Sequence, residues 1–155
     1  MPSSYIIPRI WLAAKKNVTQ TATDSSSQVA IPFQTILGGT MQSAWATATG
    51  VFTAPITGLI KITGSVFAES NSIVSDQSGY FSMEVKRSGS TIATLIESVP
   101  AFSDNSNYLT MTQTPNCCIA VTAGDALSFV VSWSESGMNS IVINTSSNIQ
   151  IEYLQ

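Results

Sequence analysis

From Gln28 onward, apolar residues come in short runs that alternate with polar ones and are cut by Gly, Pro, Asn and Ser. That rhythm belongs to strands and turns, and no stretch repeats at the helical period. The pattern predicts strands over 29–37, closed by Gly38-Gly39, and over 52–56, 59–67, 80–87, 91–96, 108–112, 117–121, 126–133, 141–143 and 148–154. Within 59–67, period two places Ile60, Ile62 and Val66 on one face and Leu59 and Phe67 on the other. Leu127, Phe129, Val131 and Trp133 alternate with Ala126, Ser128, Val130 and Ser132, the mark of a half-buried strand. Turns are predicted at Pro55–Gly58, at Ser88-Gly89-Ser90 as a tight hairpin, and at Ala123-Gly124-Asp125. Polar loops are expected over 69–78 and 100–107. Short strands at this spacing predict an all-β sandwich.

The beginning of the chain is different. Tyr5, Ile6, Ile7, Ile10, Trp11 and Leu12 crowd into one stretch closed by Lys15 and Lys16, and residues 17–27 are small and polar. Two readings follow: a first strand folded onto its own sandwich, or an apolar arm that orders on a partner. The length of the polar stretch favours the arm. The chain therefore divides into an arm and linker, 1–27, and a β domain, 28–155.

Composition narrows the function classes. Charged residues are only 10% of the chain and the formal charge is −3. Arg9, Lys15, Lys16, Lys61, Lys86 and Arg87 form no basic stripe, so nucleic-acid binding is disfavoured. So few charges suit a protein that hides apolar faces against copies of itself, although a monomer solvated by hydroxyls and amides would also fit. No segment reaches the ~20 apolar residues of a membrane helix, so no membrane insertion is expected. The cluster from Tyr5 to Ala14 is broken by Pro8 and Arg9 and is unlike a secretion signal.

Candidate chemistry is sparse. Cys117 and Cys118 are adjacent, would point to opposite faces of a strand, and are expected as free thiols. The chain has no histidine, its nine acids are scattered, and neither a nucleophile elbow nor a phosphate loop is present. Neither an enzyme nor a cofactor or metal site is expected. Asp76 or Asp104 alone would not hold calcium, and Asp125 reads as a turn residue.

Three blocks resemble the complement C1q-type globular domain, a branch of the tumour-necrosis-factor-like jelly rolls. They are Gln28 to Phe33, Trp45 through the Thr-Gly-x-Phe-Thr-Ala-Pro-x-x-Gly run to Ile62, and Val121 to Leu127 with a closing strand ending at Tyr153-Leu154. Ile60 and Ile62 stand where the family usually has Tyr and Phe. The resemblance implies a jelly-roll β-sandwich that forms a homotrimer, with the first, third, sixth and last strands at the axis. On that basis Val29, Ile31, Phe33, Leu59, Phe67 and Tyr153 are interface candidates, with ordinary core as the alternative for each. Together these features lead us to expect a structural protein on the surface of a virus particle, most readily a bacteriophage. It would act as a cement or decoration protein whose arm, Tyr5, Ile6, Ile7, Ile10, Trp11 and Leu12, grips the major capsid protein. The alternatives are a fibre tip whose loops 69–78 and 100–107 contact a host surface glycan, and a secreted complement-like binding module.

Overall fold

In the computed structural model, which describes residues 9–23, 28–70, 80–98, 109–134 and 140–154, Pro32 interrupts the run predicted as one strand over 29–37. Proline offers no N–H to a ladder, and the chain changes sheet around it. In chain order the strands are β1 (Trp11–Lys15), β2 (Gln20–Ala22), β3 (Val29–Ala30), β4 (Thr35–Gly39), β5 (Trp45–Ala46), β6 (Val51–Thr53) and β7 (Gly58–Ser70). They continue with β8 (Tyr80–Arg87), β9 (Ser90–Ser98), β10 (Leu109–Gln113), β11 (Asn116–Val121), β12 (Ala126–Ser134), β13 (Ile141–Ile143) and β14 (Asn148–Leu154). A 3-10 turn, Gln42–Ala44, precedes β5.

Two antiparallel sheets face each other. The eight-stranded sheet runs β2-β13-β7-β14-β1-β4, with β10 and β11 end to end along the other side of β7. The six-stranded sheet runs β5-β6-β12-β8-β9, with β3 also paired to β12. Strands β8 and β9 are joined through Ser88 and Gly89, both at positive φ (51° and 84°), the backbone that a two-residue hairpin loop requires.

The division at residue 27 needs correction. Strand β1 sits inside the eight-stranded sheet between β14 and β4, and β2 pairs with β13. Leu12 and Ala14 are buried and belong to the core. An interior strand satisfies its backbone polar groups on both sides, whereas a free arm would leave them to solvent. Ile10, Trp11 and Leu12 are therefore part of the sandwich, and the stretch read as linker contains a strand whose Ala22 is buried. Tyr5, Ile6 and Ile7 lie outside the described residues, as do 71–79 and 99–108, where most of the two predicted polar loops falls.

The core lies between the sheets. Ile60, Ile62 and Val66 from β7, with Ile149 and Ile151 from β14, face Leu127, Phe129, Val131 and Trp133 from β12 and Met83 and Val85 from β8. Each such side chain gains about 1.5–3 kcal/mol from leaving water. At one place the core is aromatic: the rings of Phe33 and Trp45 have centroids 6.2 Å apart, and Trp45 and Phe129 are at 5.9 Å. The Trp45 Nε1–H donates to the Phe33 carbonyl at 2.8 Å.

Candidate interaction face

Period two gives the eight-stranded sheet a second face, turned away from the core. Register shows what shares it. Leu59 lies opposite Leu154 on one side and Ala120 on the other. The next row is Cys118, Lys61, Glu152 and Trp11, and the one after it Asn116, Thr63, Gln150, Ala13 and Gly38. Leu59 and Leu154 remain 43% and 40% exposed, and Ile56, on the turn just before β7, is 43% exposed. An apolar row thus crosses three strands at one rim of the face, beside a row that carries Lys61, Glu152 and Trp11 and a further one of small and amide side chains. Phe67, half-buried, lies on the same face toward the far end of β7.

Two of the charges on this face neutralise each other. Arg9 grips Glu152 with both ends of its guanidinium fork, Nη2 donating to Oε2 at 2.6 Å and Nε to Oε1, and stacks 5.7 Å over the Trp11 ring. The Arg9 hydrogen bond holds the Glu152 carboxyl below the usual carboxylate range, helped by the charge of Lys61. Burial raises the Tyr153 phenol, whose hydroxyl donates inward to the Ile56 carbonyl at 2.7 Å.

The candidate interface residues separate under this geometry. Leu59 and Phe67 lie on the outward face. Ile31, Phe33 and Tyr153 do not: they are buried at 1%, 0% and 5% exposure, so contact with another copy would require opening the core. Ile31 and Phe33 flank Pro32, between strands of different sheets, and both side chains belong to the core. Val29 is half-buried on β3 and packs against the core. Sequence reasoning missed Leu154, Ala120 and Ile56 as members of the exposed row. Period two gives their parity, but only register brings them beside Leu59.

The blocks singled out in the sequence meet at this rim. The Ala54 N–H donates to the Asp125 carbonyl (2.9 Å), the Gly124 N–H to the Ala54 carbonyl (2.8 Å), and the Ala123 N–H to Thr57 Oγ1 (3.0 Å). Asp125 acts as a turn residue, its Oδ2 accepting the Thr122 N–H at 2.9 Å. Arg87 braces the joint, with Nε 3.0 Å from Asp125 Oδ2 and Nη2 donating to the Ala120 carbonyl. Its buried Nε makes no aligned hydrogen bond, so the contact is coulombic. Gly50, at φ 68°, lets the chain pass where a Cβ would stand 2.6 Å from the Pro32 Cα.

Among the described residues no group of three or more His, Cys, Asp or Glu side chains could hold a metal. Both cysteines are free, Cys118 exposed and Cys117 half-buried on the opposite face. Burial, with the neighbouring Cys118, pushes the Cys117 thiol up to about 11, which makes it a poor nucleophile.

No family model and no curated protein matches the sequence. Solved structures do match the fold. An Eiger TNF from S. frugiperda superposes with a TM-score of 0.65 at 13% identity, over 96% of this chain and 94% of that one. The globular domain of zebrafish complement 1qA gives 0.59 at 14% identity, over 96% and 98%. Murine APRIL gives 0.61 at 9% identity, over 95% and 100%. With two facing antiparallel sheets and these neighbours, the chain has the jelly-roll fold of the tumour-necrosis-factor and C1q-like domains.

Proposed function

We propose that this protein is a non-enzymatic module that works as a homotrimer, and that it serves as a structural, decorating subunit on the surface of a virus particle, bound to the capsid protein. The observation that carries self-association is the exposed row of Leu59, Leu154 and Ala120, with Ile56 beside it, on a sheet face whose Arg9 and Glu152 already neutralise each other. An apolar strip with few unpaired charges is what the centre of a protein interface requires. The low overall charge supports the same reading. Particle attachment rests on the apolar residues Tyr5, Ile6 and Ile7, which precede the first strand of the sandwich.

Two changes test the two halves separately. Leu59→Glu with Leu154→Glu places like charges on adjacent strands of the strip. The double variant is expected to sediment as a folded single subunit at micromolar concentration, where the parent sediments as a trimer. A parent that is itself monomeric there sinks the proposal. Deletion of residues 1–8 spares β1 and is expected to leave a folded trimer that no longer binds capsids. Retained capsid binding would remove the role of those residues, and binding to a host glycan instead would favour the fibre-tip reading.

A further inference from the structure

Lys16 is a charged residue with no exposed surface. It follows β1 on the inward parity of Leu12 and Ala14, so its side chain enters the sandwich. Its Nζ donates to Gln20 Oε1 at 3.0 Å and to the Pro32 carbonyl at 3.2 Å. Gln20 in turn donates through Nε2 to the Ala30 carbonyl at 2.8 Å. The Lys16 N–H donates to the Ser147 carbonyl, and the next residue, Asn17, donates its N–H to Gln34 Oε1. The Lys16 side chain thus ties the end of β1 to β2 and to the Pro32 segment at the sheet crossing, while its backbone N–H reaches the turn that leads into β14.

Among the described residues, none of the groups that its Nζ meets carries a charge. From β2 it faces Gln20, and Lys15 points to the opposite face and is exposed. From the 28–34 segment its Nζ meets the Pro32 carbonyl, and from the β13–β14 turn the Ser147 carbonyl takes its backbone N–H. The carboxylates of the described ion pairs and hydrogen bonds serve other partners: Glu152 takes Arg9, Asp125 takes Arg87, Glu84 takes Gln28 and Thr91, and Glu69 takes Asn144. An ammonium out of water with neutral acceptors alone is costly to keep charged. A neutral amine in the same place retains the stem's packing and still donates to both oxygens.

We infer that Lys16 is a proton-operated latch: loss of its proton tightens the hold of β1 and β2 on the 28–34 segment, and return of the proton loosens it. Burial pulls the amine down to about 8 from the ordinary lysine value of 10.5. Between those values the unfolded chain binds more protons than the folded one, so stability rises with pH across that window. Below about 8 both states are charged and the fold bears the whole cost. The raised Cys117 and Tyr153 groups act in the opposite sense at alkaline pH, so the Lys16 contribution must be read as a difference between variants.

The full chain, at fixed concentration, is compared with Lys16→Met in urea unfolding from pH 7 to pH 10. The ratio of the two unfolding constants is expected to move at least about tenfold in favour of the parent. A ratio that stays constant overturns the latch. The Cε resonance of Lys16 in carbon-13-lysine-labelled parent, read against the same resonance in urea, decides even where the variant fails to fold. Half-titration at least one pH unit lower in the folded chain supports the latch, and coincident curves overturn it.

Discussion

Trp45 meets both demands that burial makes on an indole. Its ring packs against both Phe33 and Phe129, and its N–H reaches the Phe33 carbonyl. Trp45→Phe keeps most of the apolar contact but leaves that carbonyl without its donor in a dry place. An unmade buried hydrogen bond costs ~1–3 kcal/mol, and the variant is expected to unfold at correspondingly lower urea, with an unchanged m-value. This residue was legible in the sequence as an aromatic ahead of the Thr-Gly-x-Phe-Thr-Ala-Pro run. Lys16 was not. A lysine at the end of an apolar cluster reads as a solvated terminus, and only the acceptors that the fold brings there, Gln20 Oε1 and the Pro32 carbonyl, show its head turned inward.

Strands β7 and β12 were readable because each has one dry face and one wet one, so hydrophobic alternation reports orientation directly. Strand β1 was not, since Trp11 and Leu12 are adjacent apolar residues on opposite faces and Trp11 is covered by Arg9. Strand β2 hid for the converse reason: Gln20 and Thr21 are polar and only Ala22 is buried. The split of 29–37 by Pro32 was signalled by the proline itself, but a change of sheet needs knowledge of the partner strands. Close approach between strands can be tested at Gly64. A Cβ there would stand 2.3 Å from the Asn148 carbonyl oxygen, so Gly64→Ala must push β7 and β14 apart. Overpacking of this kind costs ~1–3 kcal/mol. Thermal unfolding is expected to fall accordingly, and a variant as stable as the parent would show that the two strands separate freely.

Across the whole molecule, the fold is held by contacts between residues far apart in sequence, and the interaction face exists only once register is set. The same row that brings Leu59 beside Leu154 joins the middle of the chain to its last strand. Strand β14 lies between β1 and β7 and contacts both along its length. During synthesis β1 and β7 emerge well before β14, and the edges that it covers stay bare until it follows. The eight-stranded sheet therefore closes only once β14 is available, and a ribosome-stalled chain lacking 148–154 should be degraded quickly by added protease, whereas the released full chain resists. Growing chains with two bare edges are candidates for pairing with one another, so slowing elongation should increase the fraction lost to aggregates.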